Sequence, residues 1–381
     1  MKSSALIASS AAAFMAATAL TASPALALDG VVTSIKPIHS LVAGVMEGVD
    51  EPELLVKGAA SPHTYTLRPS DAAMLQDAPL VFWVGPGLEP FLNQPLDTLS
   101  ANARVVTLEQ TEGMTRLEFR EGGAFEAHDH GDHGDGHAHA HEEHAHDDHD
   151  HSHDDHDHGH DDHGHNEDHH HEQGHDHAEE AGAAHDHGHE DHAAHDHSSD
   201  DHAGHDHSGT DPHYWLDPEN AKLMVGAIEA ALADADPDNA DTYRSNAEAL
   251  TARIDELSTE IAATVEPVAD RPFIVFHDAY HYFENRFGLQ AAGAITISPE
   301  VAPGAERISE LRQRVNELDA ACVFAEPQFE PRIVNVVIEG TDAKAGVLDP
   351  EGAEIADGPD LYFELLRNMA TSFTTCLGEE S

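Results

Sequence analysis

The chain has 381 residues, 40% of them hydrophobic, and its 73 Asp and Glu against 18 Lys and Arg give a formal charge of −55. A surface that acidic repels nucleic acid and anionic membranes and attracts cations, which excludes nucleic-acid partners.

Residues 1–27 begin with Lys2, continue through an apolar stretch and end in Ala25-Leu26-Ala27, the small-x-small form of a signal-peptidase site. The expected mature chain starts near Leu28 and is soluble in a bacterial periplasm. No cysteine near the cleavage point offers a lipid anchor, and no later stretch approaches the roughly 20 apolar residues of a spanning helix.

From residue 30 short apolar runs alternate with helix-like segments. Strands are expected at 31–35, 53–56, 80–84 and 105–108, with helices at 37–48, 70–77 and 88–99; Pro37 lies in the first turn of one helix and Ser70 is the expected cap of another. This alternation implies a parallel sheet covered by helices, an α/β lobe built from residues 28–127 and 208–236. Asp217-Pro218-Glu219-Asn220 opens a helix to about residue 234. A longer helix then carries Ala240, Tyr243, Ala247, Leu250, Ile254, Leu257, Ile261 and Val265 at spacings of three and four until Pro267 stops it. Residues 237–267 read as a stiff connector between lobes. Residues 268–381 repeat the grammar: strands at 273–276, 289–293, 322–325 and 346–348, helices at 279–287, 304–318, 332–339 and 361–376. The fold class is therefore α/β, two lobes joined by a long helix. In such sheets ligands sit off the carboxyl ends of the strands. Cys322 and Cys376, both in this half, most simply form one disulfide in an exported protein; a two-thiolate metal site is the competing reading.

Between the parts of the first lobe lies a low-complexity insert, residues 128–207, with 30 of the 35 histidines, 26 of the acidic residues and no Lys or Arg. It has no aliphatic side chain larger than Ala, so it cannot bury enough surface to offset its ordering entropy and is expected to be disordered. Imidazole is the commonest protein ligand of zinc, and the neighbouring carboxylates concentrate divalent cations. The alternative is a solvated polyanionic loop that holds metal as any histidine tag would. Without the insert the remainder still carries −29, from 47 acidic and 18 basic residues.

Only His39, His63, His213, His277 and His281 lie outside the insert. His63 follows the strand that ends at Val56, His277 follows Phe276, and His213 sits in Asp211-Pro212-His213-Tyr214-Trp215 where the insert re-enters the fold. Pro62 and Pro212 stiffen their loops. A lone histidine at a strand end is more often structural; three from two lobes, beside a His-rich insert, point to a metal centre. Tetrahedral zinc needs a fourth ligand or water. Asp349, after the strand 346–348, is the expected fourth ligand, its other reading being the start of the turn Asp349-Pro350-Glu351-Gly352. His281, four residues after His277, would share a helix face with it, and His39 is the weakest candidate.

The stretches Ser61-Pro62-His63 with Leu67-Arg68-Pro69-Ser70-Asp71, Val84-Gly85-Pro86-Gly87-Leu88-Glu89, His213-Tyr214-Trp215-Leu216-Asp217-Pro218, Phe276-His277-Asp278-Ala279-Tyr280 and Cys322-Val323-Phe324-Ala325-Glu326-Pro327-Gln328-Phe329 resemble the ZnuA-type zinc-binding proteins of bacterial ABC importers, over about residues 30–377. The resemblance implies that His63, His213 and His277 hold zinc between the lobes, that the insert is the family's charged mobile loop, and that Cys322 pairs with Cys376. Two features depart from the pattern. His281 stands where a small residue is expected, and Pro62 supplies no carboxylate before the first histidine.

The leading expectation is a periplasmic receptor, not an enzyme, that captures Zn2+ and delivers it to an ABC permease. A manganese or broad divalent-metal receptor is the variant within the class, and a zinc buffer or metallochaperone centred on the insert is the alternative. Expected partners are the permease, zinc ions and a periplasmic zinc chaperone, with the chain a monomer. A zinc hydrolase lacks support: outside the low-complexity insert no His-Glu-x-x-His occurs, the one match, His171-Glu172-Gln173-Gly174-His175, lying within it, and Glu326 is the base that could be imagined.

Overall fold

A computed structural model describes residues 28–120, 125, 209–296, 299 and 303–378. Residues 1–27, expected to be an export signal, and the His-rich insert lie outside the described residues, and so does the expectation of disorder in the insert. In the first half β1 (Val32–Thr33), α1 (Lys36–Val45), β2 (Glu53–Leu54), α2 (Pro69–Asp77), β3 (Leu80–Trp83), α3 (Asn93–Leu99) and β4 (Arg104–Thr107) build a parallel sheet of order β2-β1-β3-β4. After the insert come α4 (Pro218–Ala235) and α5 (Ala240–Val265). The second half runs β5 (Phe273–His277), α6 (His281–Phe287), β6 (Ala291–Thr296), α7 (Ala305–Leu318), β7 (Cys322–Ala325), α8 (Arg332–Ile338), β8 (Lys344–Val347) and α9 (Leu361–Gly378), with a second parallel sheet of order β6-β5-β7-β8. The two sheets share one topology, and in each the strand order turns at its first strand, β1 or β5.

Helix α5 is 26 residues long and buries Tyr243, Ala247, Leu250, Ile254, Leu257, Ile261 and Val265, the expected stripe without Ala240. At 1.5 Å per residue it spans about 40 Å. It packs against α1, α4 and α9. Gly44 of α1 lets that contact close, since a Cβ there would stand 3.1 Å from Leu250 Cδ2. The core this produces runs continuously from the first sheet, along α5, to the inner face of the second sheet. A smaller cluster, including Ile274, Ile295, Leu311 and Val334, fills the outer face of the second sheet under α7 and α8.

Three long-range ties close the lobes on one another. Trp215 Nε1 donates to Pro350 O at 2.9 Å, Tyr362 Oη donates to Trp215 O at 2.8 Å, and buried Lys36 reaches Ile355 O at 2.7 Å and Asp357 at 3.2 Å. Cys322 of β7 and Cys376 of α9 form a disulfide, which removes the thiolate metal site. The bond passes over Gly346 of β8, where an added Cβ would stand 3.2 Å from Cys376 Sγ and 2.5 Å from the Phe324 ring.

Two local expectations are corrected. Ser70 is not the cap of α2. Pro69 occupies the first helical position, as its fixed φ favours, and the Asp71 carboxylate accepts the Arg68 N–H at 2.9 Å. Helix α6 starts at His281 rather than at residue 279, because Ala279 N donates back to His277 O at 2.9 Å in a tight turn.

Candidate metal centre

Each of the three expected histidines reaches the interlobe cleft from a different kind of support. His63 lies in the loop after β2, behind buried Ser61 and Pro62. His277 is the last residue of β5, at the point where the order of the second sheet turns, the place at which α/β sheets expose side chains to ligands. His213 stands at the foot of the insert. There the segments that flank the insert pair, Phe119 N donating to Gly209 O at 2.6 Å and Asp211 N to Leu117 O at 2.9 Å. The chain then makes a single turn over Tyr214–Leu216 and enters α4, whose first turn is capped by Asp217 accepting from Glu219 N at 2.9 Å.

The imidazoles converge. His213 Nε2 lies 3.4 Å from His63 Nε2 and 3.3 Å from His277 Nε2, and the ligand atoms of all three fall within 4.8 Å of one another. Zinc–imidazole bonds of about 2.05 Å in a tetrahedron put ligand nitrogens about 3.3–3.4 Å apart. Among the described residues this is the one His, Cys, Asp or Glu group close enough to hold an ion. Behind the ring of nitrogens, His213 Nδ1 is paired with Asp211 Oδ1 and His277 Nδ1 with Glu326 Oε1, each at 2.6 Å. With Nδ1–H donating to a carboxylate, Nε2 turns its lone pair inward. Lone pairs facing one another across 3.3 Å repel, and a cation between them reverses the sign of that interaction.

Electrostatics divides the three. Burial, then the neighbouring His213 and His277, holds His63 well below the usual imidazole value. Burial and His277 do the same to His213, against a smaller pull upward from Asp278. Burial also lowers His277, but Glu326, with Asp278 and Asp211 behind it, outweighs that and leaves its pKa raised. Asp211 is pushed well above the usual carboxylate range by burial and by Asp278. A dication in the centre would favour neutral imidazoles and ionised carboxylates throughout this set.

The family model for ZnuA, zinc-uptake complex component A periplasmic, matches residues 31–376. The chain belongs to the ZnuA family. The High-affinity zinc uptake system protein ZnuA of Brucella suis biovar 1 is 49% identical over 351 residues, 92% of this chain and 92% of the relative. The protein of the same name from Yersinia pestis is 34% identical over 367 residues, 96% of each. A crystal structure of ZnuA matches with a TM-score of 0.62 at 21% identity, covering 91% of this chain and 98% of that one. The periplasmic zinc binding protein TroA from Treponema pallidum matches with a TM-score of 0.64 at 17% identity, again over 91% and 98%. At these identities the two structures establish the shared two-lobe fold.

In this ZnuA-family chain the other sequence candidates stand apart from the centre. Asp349 is a turn residue. Its Oδ1 accepts from Gln328 Nε2 at 2.9 Å, Glu351 N at 3.1 Å and Gly352 N at 2.9 Å, and its Oδ2 accepts from Ala353 N at 2.6 Å, so both oxygens are engaged in holding the turn. His281 opens α6 while His277 ends β5, so the two share no helix face. Its Nδ1 is buried without a partner among the described residues, and it lies outside the group of converging nitrogens. His39 is buried in α1 with Nε2 on Pro52 O at 3.0 Å, a structural position.

Sequence reasoning missed the roles of Asp211 and Glu326 as partners of the imidazoles. Glu326 follows β7 directly, and β7 lies beside β5, so the strand-end rule that picks out His277 also picks out Glu326. Asp211 had a signal too, an acidic residue two positions before a Pro-fixed histidine, where it can also accept the His213 N–H at 3.0 Å.

Proposed function

We propose that this chain captures Zn2+ in the periplasm through His63, His213 and His277 and delivers it to the membrane permease of an ABC importer. The observation that carries this reading is the spacing of three imidazole nitrogens drawn from both lobes, two of them oriented by buried carboxylates. A three-imidazole centre suits zinc, whereas manganese favours more carboxylate oxygen; the engagement of Asp349 in its turn takes away one oxygen the manganese reading needs. Residues 1–27 serve as the export signal, the chain acts as a monomer, and a periplasmic zinc chaperone is a further partner. The insert holds zinc loosely beside the cleft, since single imidazole and carboxylate contacts exchange quickly.

Calorimetric zinc titration of the protein lacking residues 128–207, in competition with a strong chelator, tests this against the buffer reading. One tight site per chain is expected to survive the deletion. Loss of that site would move the function to the insert and leave the lobes as its carrier.

The pH dependence follows from the three pKa directions. A ligating imidazole must be neutral, and protons compete first for the ligand that holds them most tightly. His277 is raised, so affinity is expected to begin falling above about 6.5, the ordinary histidine value, and to fall about tenfold per pH unit while one proton is displaced. His63 and His213 are lowered and add their protons only at more acidic pH. Chelator-competition titrations from about pH 8 to about pH 5 read this slope; an affinity that stays flat across that range would sink the histidine centre.

A further inference from the structure

In front of the three imidazoles is a small cavity of about 10 Å³, close to the space that one water molecule needs. Besides the histidines, its polar lining is Ser61, Glu326, Gln328 and Glu351. Glu326 gives Oε1 to His277 and, among the described residues, keeps Oε2 buried without a partner, and Gln328 donates to Asp349 while its own Oε1 stays unpartnered. Glu351 differs in that neither oxygen of its carboxylate is engaged. It is 5% exposed, and among the described residues its carboxylate accepts no hydrogen bond, although its own N–H is fixed on Asp349 Oδ1. The nearest cation, Lys36, points its ammonium at Ala353 O, Ile355 O and Asp357. Three further carboxylates, Asp349, Glu89 and Glu326, act on Glu351 unfavourably. A carboxylate drawn out of water with no donor and with like charges around it is costly unless a cation or a strong donor faces it.

The cavity supplies the place for both. The Glu351 oxygens lie outside the group of ligand atoms that come within 4.8 Å of one another, while the residue lines the same water-sized cavity as the three imidazoles, which makes that cavity the step between them. One water bridges such a step, bound through oxygen to the metal and through hydrogen to the carboxylate. We propose that Glu351 is the oxygen partner of the metal's fourth position, accepting a hydrogen bond from the water that completes the shell begun by His63, His213 and His277. Glu351 then supplies, from the second lobe and through water, the negative charge that Pro62 leaves out next to the first histidine. It acts as a positioning residue that adds an anionic partner, so it strengthens the hold on a dication and does so more for an oxygen-seeking ion such as Mn2+ than for Zn2+.

The inference rests on the zinc-centre reading above, and its test separates the two. Zinc and manganese affinities of the tightest site are measured on the intact chain, insert included, for the parent, Glu351→Gln and His63→Ala, by competition with a strong chelator, together with thermal unfolding with and without zinc. Glu351→Gln is expected to weaken zinc about 10–100-fold, the usual effect of removing an outer partner, and to weaken manganese more. Its metal-free melting temperature is expected to equal or exceed that of the parent, because an unpartnered buried charge has been removed. Zinc affinity within twofold of the parent overturns the proposal, and so does a metal-free melting temperature that falls together with the affinity, which would make Glu351 a structural residue. Should His63→Ala leave the tightest site unchanged, the zinc-centre reading itself fails; should His63→Ala abolish that site while Glu351→Gln matches the parent, only the role of Glu351 fails.

Discussion

Replacing His213 with alanine is expected to weaken the tight zinc site by at least about a thousandfold, beyond the 10–100-fold that outer partners usually contribute. His213 is the shared neighbour, 3.4 Å from His63 Nε2 and 3.3 Å from His277 Nε2, so its loss leaves two nitrogens that no longer define three corners of a tetrahedron. The substitution also strips Asp211, 1% exposed, of its side-chain partner. Asp211→Asn isolates that second contribution. It keeps the shape and the imidazole but weakens the acceptor facing Nδ1, and an effect of about 10–100-fold is expected. Both variants are read by chelator competition on the protein without residues 128–207, where weak sites do not obscure the tight one. A His213→Ala protein that still binds within tenfold of the parent would place the ion elsewhere.

The same two residues show what a sequence reader can and cannot reach. Alternating strands and helices, the apolar stripe of α5 and the helix opened by Asp217-Pro218-Glu219-Asn220 are local patterns of period or composition, and they reappear in the fold at nearly the expected places. His63, His213 and His277 were legible because each stands at a strand end or a Pro-stiffened loop. Asp349 met the same description and is a turn residue, since what decides its role is a set of backbone N–H groups two to four positions ahead and Gln328 from another loop. Partnerships such as His277 with Glu326 join residues 49 positions apart, and nothing in either segment's local pattern names the other. The boundaries of α6 and the start of α2 moved for a simpler reason: a two-residue turn and a proline outweighed the helix signal nearby.

Arg120 carries the largest expected effect on stability. It ends the continuously described stretch before the insert, and its guanidinium lies in the second lobe between Asp278 and Glu284, which are 3% and 2% exposed. Its Nε donates to both Asp278 oxygens at 3.0 and 3.1 Å, its Nη1 to Glu284 Oε2 at 2.6 Å and its Nη2 to Glu284 Oε1 at 3.0 Å. Arg120→Met would leave two buried carboxylates facing each other, and breaking a buried pair in this one-sided way typically costs about 3–5 kcal/mol. A loss in that range is expected in denaturant or thermal unfolding of the metal-free protein. Adding Glu284→Gln to Arg120→Met removes one of the stranded charges and should recover part of the loss, a coupling that a double-mutant cycle measures directly. A single-variant cost below about 1 kcal/mol would show that the carboxylates find other partners. The network also reaches the metal centre, because Asp278 follows His277 in the chain, and Tyr282 on the same helix as Glu284 accepts Leu117 N–H and donates to Asp211 O, both at 3.0 Å. The foot of the insert is thus fastened to the second lobe by the residues that flank two of the three imidazoles. A weakened Arg120 clamp should therefore loosen zinc as well as the fold, though by less than His213→Ala, since every ligating nitrogen remains.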